Sequence, residues 1–270
     1  MSDGHGPRAM IPRCPQPIKT LLAVFFAVLL TACGQKADDR AWEQVQATGV
    51  VRVGMDAAYP PFEDVNDAGE IVGFDVDLAR EIGRRLGIEV QFVNIPYDGL
   101  YDALVTGQVD LLVSALVAGW ENEAKANFTV PYFNAGEHLV VPGSSSLSSM
   151  EDLAGHTLAV EYGSGGDVEA RKWERRLANL TVARYSDPAT ALTAVLDGEA
   201  DAALVDGISA QLGAGQHSEL RVAESVTDEL FAIAVGDESD ELLTQVNRTL
   251  DEMMRDGTVG ALIDRWFGVQ

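Results

Sequence analysis

Cysteine is nearly absent from the 270 residues: Cys14 and Cys33 are the whole complement. The rest of the chain therefore has neither a disulfide framework nor a cysteine metal site. Histidine is sparse too, and His5, His138, His156 and His217 show no ligand spacing, so each reads as a surface or loop residue and no metal is implied. Cationic side chains are in deficit, 19 Lys and Arg against 42 Asp and Glu, for a net charge of −23. That balance argues against nucleic acid and against an electrostatic membrane patch. No Gly-rich phosphate loop is present, and Gly163-Ser164-Gly165 lacks the flanking spacing of a nucleophile elbow. Long apolar runs are missing as well. The one from Leu21 to Leu30 is too short to span a membrane as a stable helix. What is present is 47% hydrophobic residues, enough to bury a core.

Residues 1–33 read as targeting. Lys19 supplies a positive charge, the short apolar run follows, and Leu30-Thr31-Ala32-Cys33 closes it. That tetrapeptide resembles the bacterial lipobox, which implies a lipid on Cys33 and a membrane-anchored, extracytoplasmic chain. The polar stretch 34–41 suits a tether.

Strand and helix alternate beyond it. The apolar run 50–54 predicts a buried strand, and Val76, Leu78, Ala79, Ile82 and Leu86 mark one face of a helix that stops at Gly87. A strand over 90–93, a helix over 100–106 closed by Gly107, and a strand over 111–113 follow. This alternation predicts an α/β fold with a largely parallel sheet. One unit occurs twice, at 103–113 and at 194–205: a helix, a Gly stop, a short acidic turn, an apolar strand. After a strand over 139–141, the stretch Pro142-Gly143-Ser144-Ser145-Ser146 interrupts the pattern. Residues 241–267 read as a helical C-terminus.

Ordered through 49–268 are Val53-Gly54-Met55-Asp56-Ala57-Ala58-Tyr59-Pro60-Pro61-Phe62, Val72-Gly73-Phe74-Asp75-Val76-Asp77-Leu78-Ala79, Tyr97-Asp98-Gly99-Leu100, Gly107-Gln108-Val109-Asp110-Leu111, Phe128-Thr129-Val130-Pro131-Tyr132-Phe133 and Arg255-Asp256-Gly257-Thr258. In this set the chain resembles the family-3 extracellular solute-binding proteins that serve amino-acid ABC importers. The resemblance implies a two-lobe type II periplasmic-binding-protein fold with the ligand cleft between lobes joined by two hinge crossings. Lobe 1 is expected over 42–137 plus 233–270, and lobe 2 over 138–232.

Carried over residue by residue, the resemblance puts Asp56, Tyr59 and Tyr97 at lobe-1 contacts, with Asp56 facing a ligand cation and the tyrosines flanking an apolar or cationic side chain. Phe62, after two prolines, fits either a pocket wall or the core. The segment from Ser114 through Leu116, Val117 and Trp120 to Asn122 falls where the family holds a ligand carboxylate. This chain departs there: Val117 replaces the usual second hydroxyl, and Asn122 stands where the family has an Arg that forks onto the carboxylate, a pairing Asn cannot reproduce. In lobe 2, Ser164 and Gly165 lie at a turn opening a helix, whose backbone N–H groups can hold an anion. Glu161 falls near a wall position, and Asp206 matches an acid that pairs with a ligand ammonium.

Three acids, Asp56, Glu161 and Asp206, thus meet three aromatics with no cationic clamp. Two ligand classes stay open: a solute that is net cationic or lacks a free α-carboxylate, such as an amine, a polyamine, a quaternary ammonium compound or a basic amino-acid derivative, or an ordinary amino acid held by backbone N–H groups near Trp120 and Gly165. The expected protein is a monomer without cofactor, serving an ABC permease. A sensing module for a receptor and a dehydratase-like enzyme are the rival functions.

Overall fold

The computed structural model describes residues 1–2, 40–119 and 126–268. Cys33, Trp120 and Asn122 lie outside the described residues. Helix α1 (Arg40–Thr48) leads into β1 (Val50–Met55), the apolar run expected to form a buried strand. A short hairpin, β2 (Asp64–Val65) and β3 (Ile71–Val72), precedes α2 (Phe74–Leu86). The face expected for that helix is the one that packs, with Val76, Leu78, Ala79 and Ile82 buried and Leu86 against the same core. Next come β4 (Glu89–Asn94), a 3-10 turn at Tyr97–Gly99, α3 (Leu100–Val105), β5 (Leu111–Leu112) and β6 (Ala126–Phe128).

The chain then passes through β7 (Phe133–Asn134) into β8 (Glu137–Pro142), β9 (Thr157–Glu161), α4 (Gly165–Glu174) and β10 (Thr181–Tyr185). It continues with α5 (Pro188–Leu196), β11 (Ala202–Asp206), α6 (Gly207–Gln216) and β12 (Leu220–Ser225). It returns through β13 (Leu230–Phe231) to β14 (Ala234–Gly236), α7 (Asp240–Arg255) and α8 (Thr258–Phe267). The C-terminal segment is therefore two helices, broken at Gly257 in the left-handed region (φ 83°).

Two five-stranded sheets result, ordered β4-β1-β5-β14-β6 and β10-β9-β11-β8-β12. In the first, β1 runs parallel to β4 and β5, while β14 inserts antiparallel between β5 and β6. In the second, β9, β10 and β11 are parallel and β8 and β12 are antiparallel additions. Each sheet buries apolar side chains on both faces, as mixed and parallel sheets flanked by helices do. This is the two-lobe α/β architecture.

The duplicated sequence unit has a structural counterpart. Gly107 and Gly198 both adopt positive φ, 69° and 74°, where glycine is favoured. Three residues on, each acid clamps the neighbouring strand. Asp110 accepts the Arg52 N–H at 2.8 Å and returns its own N–H to the Arg52 carbonyl at 2.8 Å. Asp201 does the same with Thr157, at 2.7 and 2.9 Å. The acidic turn is thus a device for locking a helix-to-strand junction onto the adjacent strand, used once per sheet.

The two crossings between sheets pair with each other. β7 and β13 are antiparallel, Phe133 opposite Phe231 and Leu230 opposite Asn134. Asn134 ties them further: its Nδ2 donates to Asp228 at 2.9 Å, and its Oδ1 accepts the Glu229 N–H at 3.0 Å. Gly136 lets them approach, since a Cβ there would lie 2.2 Å from the Thr227 carbonyl oxygen. Beside the crossings Phe62, Phe74, Phe133, Phe231 and Phe267 pack ring against ring, with centroids 5.1–6.2 Å apart.

Candidate functional site

Ligands of open α/β sheets sit beyond the carboxyl ends of the strands. In the first sheet these ends deliver Asp56 after β1, Tyr97 after β4 and Ser114 after β5. With Tyr59, Glu63 and the crossing residues Glu229 and Phe231 they line a cavity of about 400 Å3. A larger hollow, about 470 Å3, lies along β4 between Arg80 and Phe92, away from the carboxyl ends of the strands and from the crossings. The smaller cavity is the candidate site because both the strand ends and the crossings open onto it.

Asp56 is held from two directions. Its N–H donates to Ser114 Oγ at 3.0 Å, and its Oδ2 accepts the Tyr97 N–H at 2.9 Å. Tyr59 is half exposed and stacks on Phe62, with centroids 5.7 Å apart and planes 8° apart. Phe62 itself is fully buried, so it backs Tyr59 and does not face the cavity. Leu116 is also fully buried, and its carbonyl accepts the Ala232 N–H. Val117 is exposed, lines the cavity and bridges to Phe231. Burial, then the charges of Glu229, Asp206 and Glu63, push the Tyr59 phenol above its ordinary range. Asp206 belongs to the second sheet, so acids from both lobes converge electrostatically on this ring.

Beneath the cavity lies a network absent from the sequence reading. Ser114 Oγ donates to Glu63 Oε1 at 2.6 Å, so its proton is directed inward. Glu63 is 1% exposed and Asp75 is fully buried. Asp75 Oδ2 accepts the Ala115 N–H at 2.7 Å and the Tyr132 hydroxyl at 2.9 Å. Ala115 takes a positive φ of 44°, unusual for a residue with a Cβ, at the point where its N–H meets Asp75. Burial first, then the Asp75 charge, pushes the Glu63 carboxyl far up; burial likewise raises Asp75.

The second sheet contributes a row of acids on adjacent strands. Glu161 ends β9, Asp206 ends β11, and Glu137 begins β8 directly opposite Asp206. Like charges facing across a ladder destabilise it. Asp206 also caps α6, accepting the Ser209 N–H at 2.9 Å and its hydroxyl at 2.6 Å. Burial, then the Asp206 charge, lifts Glu137 to about 7, although the Gly166 N–H favours its charged form. Its Oε2 is buried without a hydrogen-bond partner.

Glu137 occupies the N-terminal end of α4. A Cβ on Gly165 would lie 2.3 Å from its Oε1, and one on Gly166 2.9 Å from its Oε2. Ser164 is spent as the N-cap: its Oγ accepts the Asp167 N–H at 3.2 Å and donates to the Glu161 carbonyl at 2.9 Å. The helix terminus expected to hold an anion through Gly165 therefore faces a carboxyl of the chain itself. Asp167, fully buried, belongs to the fold. Burial raises its carboxyl, but Arg171, the Gly163 N–H and Arg184 outweigh that and hold it below the ordinary range.

Sequence reasoning missed Glu63, Asp75, Glu137 and Glu229. Asp75 sits in Gly-Phe-Asp, inside one of the stretches that carry the resemblance, and Glu63 directly follows another, whereas nothing local marks Glu137 or Glu229. Among the described residues, no His, Cys, Asp and Glu group is arranged for a metal, and no helix is long and apolar enough to cross a membrane.

A family model described as bacterial extracellular solute-binding proteins, family 3, matches residues 51–269. The L-cystine-binding protein TcyJ of Escherichia coli is 28% identical over 257 residues, covering 93% of this chain and 95% of that protein. An ancestral cationic amino-acid solute-binding protein is 31% identical with a TM-score of 0.58, covering 83% of this chain and 98% of its own. An ancestral cyclohexadienyl dehydratase is 25% identical with a TM-score of 0.72, covering 83% and 95%.

Proposed function

This chain belongs to the bacterial extracellular solute-binding proteins, family 3, and from that membership we propose that its solute carries a protonated amine or guanidinium group. As a family member it binds a small polar solute outside the cytoplasm for an ABC importer. The observation that carries the cationic reading is the charge around Tyr59. Asp56 and Glu229 line the cavity, Asp206 acts on the ring from the second sheet with Glu137 beside it, and no Arg or Lys is among the described lining residues. An unpaired ligand anion there would lose its hydration without gaining a partner. Tyr59 and Tyr97, both half exposed, offer ring faces to a cation. The name of the ancestral cationic amino-acid binding protein adds support.

The lobe limits proposed at 137/138 and 232/233 lie next to the paired crossings β7 and β13. Contacts from both lobes to one solute would favour a closed arrangement. The lipid anchor on Cys33, with 1–33 as signal and 34–41 as tether, a monomeric state and a role without catalysis complete the proposal. A role without catalysis is the part that the dehydratase among the structural neighbours challenges, and Glu137, lifted to about 7, is a carboxyl able to donate a proton near neutral pH.

The test is a thermal-shift series on the purified chain with L-arginine, agmatine and L-glutamate. A ligand present at a hundred times its Kd stabilises by about 2.7 kcal/mol. For a chain of this size that is a rise of roughly 5–10 °C. Arginine and agmatine are expected to produce it and glutamate to produce none. Stabilisation by glutamate alone would end the cationic reading.

A further inference from the structure

We infer that Glu63 and Asp75 share a single proton beneath the cavity, and that the resulting neutral Glu63 carboxyl is a positioning residue that fixes Asp56 for the solute. The inference rests on the reading that this cavity is the solute site.

The case is a count of donors and acceptors. Glu63 Oε2 and Asp75 Oδ1 are both buried, and among the described residues no hydroxyl, amide or cationic group donates to either. Held by the adjacent residues Ser114 and Ala115, the two carboxyls interact directly, and a hydrogen bond between these oxygens would satisfy both. Two carboxylate oxygens cannot form such a bond unless one of the acids retains its proton. Asp75 is the anionic member, because its other oxygen already accepts from the Ala115 N–H and the Tyr132 hydroxyl. Glu63 receives only the Ser114 hydroxyl, at Oε1, which suits an acid that donates through Oε2. Asp56 approaches Glu63 from the end of β1 and Tyr59 from the segment after it, and Glu229 shares the cavity; among the described residues no cation compensates the pair.

The proton has a consequence at the cavity surface. A neutral Glu63 bonded to Asp75 cannot rotate away from Ser114. Ser114 must then point its hydroxyl proton at Glu63 and leave a lone pair for the Asp56 N–H, 3.0 Å away. Asp56, pinned also by the Tyr97 N–H, is thereby presented to the cavity in one orientation. Ionised Glu63 would face Asp75 charge to charge in a dry site and the relay would come apart.

Glu63→Gln keeps the arrangement without the proton, because its amide donates to Asp75 and its carbonyl accepts from Ser114. Glu63→Ala removes both contacts. Infrared spectra of the ligand-free chain at about pH 9, where Glu137 is ionised, are expected to show the carbonyl stretch of one protonated carboxyl, absent from E63Q. Wild-type stability should fall as pH rises above the ordinary glutamate value, since the native state keeps a proton that the unfolded chain has lost. E63Q should gain on it by roughly 3–6 °C per pH unit towards alkaline pH. With arginine as probe, E63Q should bind within about threefold of wild type and E63A roughly tenfold or more weakly. An unchanged carboxyl band in E63Q, parallel melting curves for E63Q and wild type across pH, or equal arginine affinity in E63A and E63Q would each overturn the inference. The spectral and melting measurements need no ligand. Failure of every cation to bind therefore counts against the proposed solute class, while the shared proton is decided by those two readouts.

Discussion

Phe62→Ala is expected to lower the melting temperature by roughly 6–20 °C, from a loss of about 3–5 kcal/mol at a fully buried phenylalanine. Whole domains are stable by only about 5–15 kcal/mol, so this one ring carries a large share. The reason is where it sits. Phe62 touches Phe133 and Phe231, one on each crossing between the sheets, at 5.1 and 5.4 Å. It also meets Phe74 of α2 and Phe267 at the end of α8, at 5.9 and 5.5 Å. Five sequence-distant segments thus share one contact, and a cavity left there cannot be closed by a local shift. The same substitution removes the surface on which Tyr59 stacks, so arginine affinity should fall as well. Tyr59→Ala is the contrasting variant: half exposed, it should weaken binding and leave the melting temperature nearly unchanged. A melting curve for Phe62→Ala within a couple of degrees of wild type would show that the crossings do not depend on this ring.

The parts of the fold that could be read in the sequence are those whose cause is local. The buried face of α2 repeats at helical spacing, and the duplicated turn carries its glycine and acid at fixed offsets, so both are written in a dozen residues. β7, β13 and β14 have two or three residues each, too few for any alternating pattern to develop. Their pairing is imposed by the rest of the molecule. The crossings were therefore accessible only through the resemblance, not through the residues at 133–134 and 230–231.

The site divides the same way. Asp56, Tyr59 and Tyr97 fall in the stretches that carry the family resemblance, and all three line the cavity. Asp75 sits in one such stretch and Glu63 just after another, and neither carries a local mark of burial. Whether an acid is buried depends on what folds over it, and here that cover comes from Ser114, Ala115 and Tyr132, far along the chain. Glu137 is subtler still. Gly165 and Gly166 look like an invitation to a ligand anion, and only the fold brings β8 across to fill the space.

Glu137→Gln should weaken arginine and agmatine roughly 10–100-fold, the value of about 1.5–3 kcal/mol for contacts to a charged group. The two ligands differ only in the α-carboxylate, so a site that reads cations loses both in parallel. The pH dependence gives the sign. Glu137 is lifted to about 7, so in the wild type its negative charge is lost as pH falls through that value. Affinity for a cation is therefore expected to rise from pH 6 to pH 8 in the wild type and to stay flat and low in E137Q. Stability of the empty protein runs the other way. An acid with a raised pKa keeps its proton in the native state after the unfolded chain has lost its own, so folding weakens as pH climbs from the ordinary glutamate value towards 7. E137Q removes that loss, along with the repulsion from Asp206 across the ladder, and should melt higher than wild type at pH 8. Weaker cation binding together with a more stable empty protein is the signature of a charge kept for a ligand at the expense of the fold. Were arginine instead to bind E137Q more tightly while agmatine did not, Glu137 would be competing with a ligand carboxylate for the end of α4, and the solute would be an ordinary amino acid.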